Sequence, residues 1–323
     1  MRYVIYGAGA IGGTIGGHLA EAGRDVALIA RGRHLDVLRA NGLTLERPFD
    51  ELTVAVEAFG SPEEANIDAT TDVVILAVKT QDCTEALDRL AAVGDASLPI
   101  VCTQNGVEAE RQALRRFANV YAVCVVVPAG HYEAGVVRSY GAPKAGVLQI
   151  GRFPNGIDET VQRIANDLDG AGFSAIATTE PMTEKYSKLL INLHNALDAL
   201  GDKAARSSEF ARRAREEAYA VYEAAGIEVA SLEDDKERRE GLVQRRPVKG
   251  EPWTGGSSWQ SLARGTGSVE TDYLNGEIVL LGRLHGVPTP VNAAIQREAR
   301  LAALGKRPPG SMSLDDLADA LGV

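Results

Sequence analysis

The segment Gly7-Ala8-Gly9-Ala10-Ile11-Gly12 constrains the fold of this chain more than any other feature of the sequence. It follows RYVIY, a short apolar run typical of a buried strand, and it opens the predicted helix IGGTIGGHLAEAG, which ends at Gly23. Between a strand and a helix, a GxGxxG segment allows a dinucleotide pyrophosphate to approach the backbone at the helix N-terminus. We therefore expect these six residues to bind a dinucleotide cofactor.

The first half of the chain alternates between predicted strands and helices. Apolar runs predict further strands at DVALIA, VVILAV, PIVCTQ, NVYAVCVVV, VVRSY, GVLQIG and FSAIAT. Helical patterns occur at DCTEALDRLAAV and across residues 159–168. Strands rich in β-branched residues that alternate with helices are typical of a parallel sheet covered on both faces. This pattern predicts an α/β fold in which residues 1–180 form a Rossmann-type nucleotide-binding domain.

The second half is helical in pattern. We predict helices over residues 184–200, 206–225, 258–262 and 269–285, with no strand after residue 184. A charged stretch rich in proline and glycine, within residues 236–257, is expected to form a loop or lid, or a loosely packed helix end. Residues 181–323 are therefore expected to form an all-helical domain that follows the sheet domain.

Composition excludes several classes of protein. The 34 basic and 44 acidic residues give a formal charge of −10, which argues against nucleic acid as a partner. The three cysteines form no CxxC pair and are expected to be buried thiols, and the histidines have no metal-ligand spacing, so we expect no metal. No apolar run approaches the length of a membrane span, and strand-like sequence begins at Arg2. We therefore expect no signal peptide, no membrane partner and a cytoplasmic location.

The end of the second strand indicates which dinucleotide binds. NAD-binding proteins place a carboxylate there to hold the ribose 2′-hydroxyl. This chain has Arg31-Gly32-Arg33-His34 instead, with no carboxylate before Asp36. A guanidinium can hold a 2′-phosphate bidentately. The sequence thus predicts NADPH/NADP as the cofactor and Arg31 as its 2′-phosphate ligand, whereas Arg33 could assist or be solvated.

The segment EKYSKLLINLHNAL carries a narrow polar stripe. At about 100° per residue, Lys185, Lys188, Asn192 and Asn195 lie on one side of a helix, opposite four leucines. Such a stripe is usually a solvated face, but surface helices mostly show a wider polar arc. A solvated face and the wall of a cleft are both compatible with this pattern.

Motifs in both halves of the chain resemble those of the ketopantoate reductases (2-dehydropantoate 2-reductases). They are the glycine segment, Arg31-Gly32 with His34-Leu35, Val78-Lys79, Gln104-Asn105-Gly106, Lys188-Leu189 with Asn192, Ser257-Ser258, and Glu270-Thr271-Asp272-Tyr273-Leu274-Asn275-Gly276. The motifs occur in the same order as in the family and cover nearly the whole chain.

The resemblance implies NADPH-dependent reduction of a 2-keto acid to a 2-hydroxy acid, with ketopantoate as the first expected substrate. It implies a C-terminal domain like that of 6-phosphogluconate dehydrogenase and a site between the two domains. Carried over by position, Lys188 would donate the proton and Glu270 would be its carboxylate partner. Asn192 and Ser258 would hold the substrate, Asn105 would lie between substrate and nicotinamide, and Lys79 would lie near the cofactor. The stripe is then a cleft wall at Lys188 and Asn192, whereas the role of Lys185 and Asn195 stays open.

This chain departs from the family pattern in two places. The family commonly has Asn-Pro-Leu beginning eight residues after the lysine, but here that position is Ala196, and Asn195 comes one residue earlier. Either the helix is locally rewound or that substrate contact is lost. Ahead of Glu270, Gly267-Ser268-Val269 replaces the usual Arg-Pro-Thr.

These departures leave other functions open. A reductase of another keto acid or ketone in a biosynthetic pathway is one alternative, and a non-catalytic NADPH-binding sensor is another. The sequence is compatible with a homodimer. His194 lies toward the leucine side of the helix, so we expect it to be packed rather than catalytic.

Overall fold

A computed structural model describes residues 1–201, 205, 208–231 and 240–321. The chain forms two compact units. A sheet unit contains Met1–Gln104, Glu108–Glu184 and Ser231–Trp253, and a helical unit contains Asn105–Val107, Lys185–Ala230 and Thr254–Val323. In the part of the chain that the structure describes, no helix is both long enough and apolar enough to cross a membrane.

The sheet unit is built on one eight-stranded sheet. Its strands are β1 (Arg2–Tyr6), β2 (Asp25–Ile29), β5 (Glu57–Phe59), β6 (Asp72–Leu76), β7 (Ile100–Cys102), β8 (Val120–Val126), β12 (Val147–Arg152) and β13 (Ser174–Ala177). They lie in the order β13-β12-β8-β7-β6-β1-β2-β5. Every neighbouring pair is parallel except β12 and β8. The predicted Rossmann-type sheet is confirmed.

The strands at the centre of this sheet are buried on both faces because helices cover both. Among the described residues of this unit, the covering helices are α1 (Ala10–Glu21), α2 (Gly32–Asn41), α3 (Cys83–Val93), α4 (Ala109–Leu114) and α5 (Glu159–Gly170). Tyr3 and Ile5 of β1 belong to one apolar cluster, and Val4 between them belongs to a second cluster with Leu87 and Leu90 of α3. All three cysteines are buried thiols, as predicted.

Two smaller sheets complete this unit. One has the order β4-β3-β10-β9, formed by β3 (Leu43–Glu46), β4 (Glu51–Val54), β9 (Ala129–Glu133) and β10 (Val136–Ser139). It packs on α1 so closely that a Cβ on Gly17 would lie 2.8 Å from a methyl carbon of Leu45. The other pairs β11 (Gly141–Pro143) with β14 (Val243–Arg245). The prediction of no strand after residue 184 is therefore wrong. The backbone of Gln244 pairs with that of Ala142, which is about one hundred residues away, and such a distant pairing leaves no local periodicity in the sequence.

The helical unit is built mainly from α-helices. They are α6 (Pro181–Asn192), α7 (Asn195–Leu200), α8 (Glu209–Ala225), α9 (Ser257–Ala263), α10 (Asn275–His285), α11 (Pro290–Leu304) and α12 (Leu314–Leu321), with a short 3-10 helix at Glu270–Tyr273. A small-residue core rich in alanine lies between α7, α8, α9 and α11. Residues 206 and 207 of one predicted helix, and residues 236–239 of the predicted loop or lid, lie outside the described residues.

Two predicted helices are interrupted. The predicted helix over 184–200 breaks at Leu193 and His194, and the predicted helix over 269–285 breaks at Leu274, whose φ and ψ are −114° and −89°. The side chain of Asn275 donates a hydrogen bond to the Leu193 carbonyl (3.1 Å), so an acceptor at the first break has a partner from the second. The apolar pattern continues across both breaks, and it therefore does not reveal them.

Candidate functional site

The glycine segment between β1 and α1 has the geometry that a tight strand-to-helix turn requires. Gly7 has φ +104°, and a Cβ on it would lie 2.8 Å from the backbone nitrogen of Val78. A Cβ on Gly12 would lie 2.1 Å from the Gly7 carbonyl oxygen and 2.9 Å from Ile5. Any side chain at either position would therefore force the turn and the helix apart.

Gly9 differs from its two neighbouring glycines because it faces open space. A Cβ built on Gly9 has no atom of the protein within 4 Å. Gly9 is also the N-cap of α1, and no side chain caps the backbone N–H groups there. A helix N-terminus with uncapped N–H groups next to open space is suited to hold a pyrophosphate. The residues of this loop thus fit a dinucleotide, with Ala8, Ala10 and Ile11 completing it.

Arg31 and Lys79 follow strands β2 and β6, which flank β1. Arg31 is the N-cap residue of α2, and its side chain is exposed. Lys79 is half-buried and lies one residue after Val78, whose backbone Gly7 approaches. Both side chains therefore start at the carboxyl edge of the parallel sheet, the edge at which ligands of such sheets bind.

In the helical unit, Lys188 and Asn105 are in direct contact. The ammonium group of Lys188 donates a hydrogen bond to the amide oxygen of Asn105. The next residue, Gly106, packs on the turn that begins at Glu270, since a Cβ on Gly106 would lie 2.8 Å from the carbonyl oxygen of Tyr273. The segment Asn105–Val107 thus adjoins both α6 and the Glu270–Tyr273 helix.

The polar stripe on α6 is not a solvated face. Lys185 is 2% exposed and Asn192 is 7% exposed, and Lys188 and Asn195 are half-buried. The sequence left Lys185 open between solvent and cleft, and the structure places it among the most buried side chains of the chain. Burying an ammonium group requires polar partners, which these side chains have within the folded protein.

Asn195 takes a place that the sequence did not determine. The break at Leu193–His194 rewinds the helix, and Asn195 begins α7 with its amide nitrogen 3.5 Å from the amide oxygen of Asn192. Asn192 thus keeps a buried amide donor with no hydrogen-bond partner among the described residues.

Two other predicted residues lie on segments around α6 and α7. Ser258, 2% exposed, lies in α9, which packs on α7, and its hydroxyl has no hydrogen-bond partner among the described residues. The preceding loop approaches Asn195, because a Cβ on Gly256 would lie 3.3 Å from the Asn195 amide oxygen. Glu270 is half-buried at the start of its 3-10 helix, and His194 is buried.

Asn275 is a residue whose role the sequence did not indicate. It is fully buried, and its amide nitrogen donates both to Leu193 and to the amide oxygen of Asn292 (3.0 Å). Asn292 in turn donates to the Ala214 carbonyl. Asn275 thus ties the break after Asn192 to α8 and α11. Its presence in the motif that begins at Glu270 was the only sequence signal for it.

The sheet topology, the glycine turn and the uncapped N-terminus of α1 define a dinucleotide-binding protein of the Rossmann type. Two family models match the chain: "Ketopantoate reductase PanE/ApbA" over residues 3–155 and "Ketopantoate reductase PanE/ApbA C terminal" over residues 181–303. The chain belongs to the ketopantoate reductase family, a family of pyridine-nucleotide-dependent oxidoreductases.

Curated relatives and solved structures agree with this membership. The chain is 31% identical to the 2-dehydropantoate 2-reductase of Mesorhizobium japonicum over 94% of this chain and 98% of that protein. It is 28% identical to the 2-dehydropantoate 2-reductase of Halobacterium salinarum over 94% of this chain and 99% of that protein. The crystal structure of a PanE/ApbA family ketopantoate reductase from Ralstonia eutropha matches with a TM-score of 0.78 and 29% identity, covering 95% of this chain and all of that chain.

The fold is also shared with a protein that is named for a different activity. The ternary structure of D-mandelate dehydrogenase with NADH and anilino(oxo)acetate matches with a TM-score of 0.79, covering 95% of this chain and 99% of that chain. The identity is 21%, so this similarity shows the fold alone.

Proposed function

We propose that this protein reduces a 2-keto acid to a 2-hydroxy acid with NADPH, and that ketopantoate is the substrate and pantoate the product. The observation that carries the proposal is a pair of polar side chains on helix α6 in the helical unit. The ammonium group of Lys188 is held by Asn105, and Asn192 on the same helix has a buried amide donor with no hydrogen-bond partner among the described residues. Relatives named 2-dehydropantoate 2-reductase support the choice of substrate.

Lys188 is assigned the role of proton donor. Reduction of a ketone creates negative charge on its oxygen, so the site needs a cation or acid within hydrogen-bond reach of that oxygen. The neutral amide oxygen of Asn105 orients the Lys188 ammonium without neutralising its charge. In this role an N–H group of Lys188 would donate to the substrate oxygen.

Glu270 is assigned as the carboxylate partner of Lys188 and of the substrate. Its backbone begins the short helix on which Gly106 packs, one residue after Asn105. A carboxylate near the ammonium favours the charged form of the lysine, which is the form that can donate a proton.

Asn192 and Ser258 are assigned to the substrate carboxylate. Both are buried, and both carry a polar hydrogen without a partner among the described residues. A buried donor that is unsatisfied costs free energy until a ligand accepts its hydrogen bond. Neutral donors also hold a carboxylate without introducing a second positive charge beside the ketone.

The cofactor is assigned to the glycine loop. Residues Gly7 to Gly12 would hold the pyrophosphate, Arg31 the 2′-phosphate, and Lys79 would lie beside the cofactor. Bound NADPH supplies the hydride. We further propose that residues 1–180 bind the cofactor and residues 181–323 carry the chemistry, with Asn105 the one reacting-site residue outside this division.

The changes at Ala196 and at Gly267-Ser268-Val269 favour a second candidate, a related reductase for another 2-keto acid. The test is NADPH oxidation at 340 nm over a panel of 2-keto acids that includes ketopantoate, with the Lys188→Ala variant as background control. The proposal predicts the highest kcat/KM for ketopantoate. A higher value for another keto acid would support the second candidate, and no turnover of any panel member by a protein that binds NADPH would support a sensor.

A further inference from the structure

His34, at the start of α2, forms a bridge between the glycine loop and the turn that joins β9 to β10. The backbone N–H of Gly135 donates to His34 Nδ1 at 2.9 Å, and His34 Nε2 lies 2.8 Å from the Ala8 carbonyl oxygen. A backbone N–H can only donate, so Nδ1 is the acceptor and the ring proton is on Nε2. His34 Nε2–H therefore donates to Ala8.

The Gly135 side of this bridge is firmly held. Gly135 has φ +80°, and a Cβ on it would lie 2.3 Å from a methyl carbon of Val37, which is one turn after His34 on α2. The Gly135 carbonyl accepts a hydrogen bond from the backbone N–H of Thr44 at 2.8 Å. Both backbone polar groups of Gly135 are thus hydrogen-bonded, and the turn holds a fixed position next to the imidazole.

The Ala8 side of the bridge lies in the phosphate-binding turn. The hydrogen bonds of α1 begin with Gly13 N–H donating to the Gly9 carbonyl at 2.7 Å, so the Ala8 carbonyl lies one residue before the helix ladder. In a trans peptide the C=O and the following N–H point in opposite directions. Holding the Ala8 carbonyl against His34 therefore directs the Gly9 N–H away from His34. Gly9 also borders open space, because a Cβ built on it would have no protein atom within 4 Å.

We propose that His34 is a positioning residue that orients the Ala8–Gly9 peptide so that the Gly9 N–H donates to the cofactor pyrophosphate. This inference rests on the proposed binding of a dinucleotide at the glycine loop. His34 acts through the peptide and does not itself touch the cofactor.

The neutral form of the imidazole is the one that can make this bridge. Protonation would place a hydrogen on Nδ1 against the N–H of Gly135. Burial lowers the pKa of His34, which favours the neutral ring. The ring of His131 on β9 lies 4.3 Å from that of His34 between ring centroids.

Two substitutions separate the two halves of the bridge. His34→Gln keeps a donor near the position of Nε2 and loses the acceptor for Gly135. His34→Asn keeps an acceptor near the position of Nδ1 and loses the donor to Ala8. Each loses one hydrogen bond, so both should lower the unfolding temperature to a similar extent. His285→Gln, at an exposed histidine on α10, is the control for loss of an imidazole.

The experiment titrates each protein with NADPH and with NADH, without keto acid, by calorimetry. We expect His34→Asn to raise the dissociation constant of the nucleotide about three- to tenfold, which is the effect of one neutral hydrogen bond. The dissociation constant of His34→Gln should stay within about twofold of the wild-type value. Equal affinities for wild type and His34→Asn would overturn this inference and leave cofactor binding standing. Equal losses in the two variants would show a purely structural role and also overturn it.

Wild-type protein that binds neither nucleotide would overturn the proposed function and this inference together. A second measurement needs no cofactor. Nitrogen-15 chemical shifts of the imidazole should show His34 protonated on Nε2 alone at neutral pH, and a ring protonated on Nδ1 would contradict the bridge.

Discussion

Lys188 donates a hydrogen bond to Asn105 across 83 positions of sequence. Both residues belong to the helical unit, although Asn105 follows the end of β7 by only a few residues. The contact gives the lysine a neutral acceptor and a defined direction. In the proposed role as proton donor, a lysine held in this way would be placed before the substrate arrives, which would reduce the entropy lost in reaching the transition state.

Removal of the Lys188 ammonium should affect turnover far more than cofactor binding. General acid catalysis contributes about 10²–10⁴-fold, so we expect Lys188→Ala to lower kcat by at least about 10². NADPH affinity, measured by titration, should stay within a few-fold of wild type. Lys144→Ala, which removes a lysine partly exposed on the sheet unit, is the control and should leave kcat unchanged.

Lys188 and Glu270 should act together, so that their effects on kcat are not independent. We expect the double variant Lys188→Ala/Glu270→Ala to lose little more kcat than the more damaged single variant. Single-turnover kinetics would measure this. Fully multiplicative losses would show that Glu270 acts independently of Lys188, and a Lys188→Ala enzyme near wild-type rate would point to another donor.

Arg31 should discriminate between the two nicotinamide dinucleotides. Loss of a charged hydrogen bond to the 2′-phosphate costs about 1.5–3 kcal/mol. Arg31→Ala should therefore weaken the binding of NADPH by about 1.5–3 kcal/mol and the binding of NADH much less. Calorimetric titration of both cofactors measures the difference. Arg33→Ala tests the neighbouring guanidinium, and Arg115→Ala, on an exposed arginine, is the control. Equal losses for both cofactors would rule out Arg31 as the phosphate ligand.

Alanine substitutions at Gly9 and Gly12 should have different effects on protein stability and on cofactor binding. Gly12→Ala places a Cβ 2.1 Å from a backbone oxygen, and we expect it to lower the free energy of unfolding by about 3 kcal/mol. Gly9→Ala adds a methyl group to open space at φ −76°, so the unfolding temperature should stay the same. Cofactor affinity should nevertheless fall about tenfold or more, because the methyl group occupies space assigned to the pyrophosphate. Unchanged affinity in Gly9→Ala would contradict that placement.

Asn195 should act through Asn192. Asn192→Ala removes a donor to the substrate carboxylate, and we expect KM for the keto acid to rise about tenfold or more. Asn195→Ala should raise KM less, since it only frees the Asn192 amide to rotate. The double variant should match Asn192→Ala, whereas multiplied effects would indicate a separate substrate contact. Asn166→Ala, on the exposed face of α5, is the control.

Asp158 should make stability depend on acid pH. It caps α5 by accepting a hydrogen bond from the Val161 N–H (2.8 Å), and it pairs with Arg152 (2.9 Å). Burial alone would raise the pKa of Asp158, but these hydrogen bonds outweigh burial and lower it. A carboxyl whose pKa is lower in the folded state stabilises the protein above its unfolded pKa of about 3.9, and this contribution is lost as pH falls through the folded value.

We therefore expect Asp158→Ala to cost about 1 kcal/mol or more at pH 7 and less at pH 3, measured by urea unfolding. Asp36→Ala, at an exposed position, should show little difference at either pH. A cost for Asp158→Ala that did not change with pH would contradict the pairing.

Local pattern was sufficient to predict the glycine turn and the strands of the large sheet other than its short edge strand β5. Residues such as Tyr3, Val4 and Ile5 are buried on both faces of a parallel sheet, and a continuous apolar run records that directly. The small sheet was not predicted as such, because its pairing of β3 with β10 joins Thr44 to Val136, and pairing between distant segments leaves no periodic signal.

The candidate site was predicted in its residue types and less well in its geometry. The polar stripe alone left Asn192 open between solvent and cleft, and only the family resemblance implied that it is not solvated; Asn192 is buried. The rewinding before Asn195 could not be predicted, because the leucines continue with helical spacing while Asn275, 82 positions away, stabilises the broken turn. The burial of Lys185 likewise depends on neighbours that a single helix does not specify.

The helical unit is not formed by one continuous segment of the chain, and this limits how the protein can be divided into fragments. The helical unit takes three separate pieces of chain, of which the first is only Asn105–Val107. A fragment cut at the sequence boundary and spanning residues 181–323 would contain Lys188 but lack its hydrogen-bond acceptor. The two halves of this enzyme therefore cannot be treated as interchangeable modules. A chimera that joins its helical half to another nucleotide-binding half must also bring a matching asparagine and glycine after the fifth parallel strand of the chain.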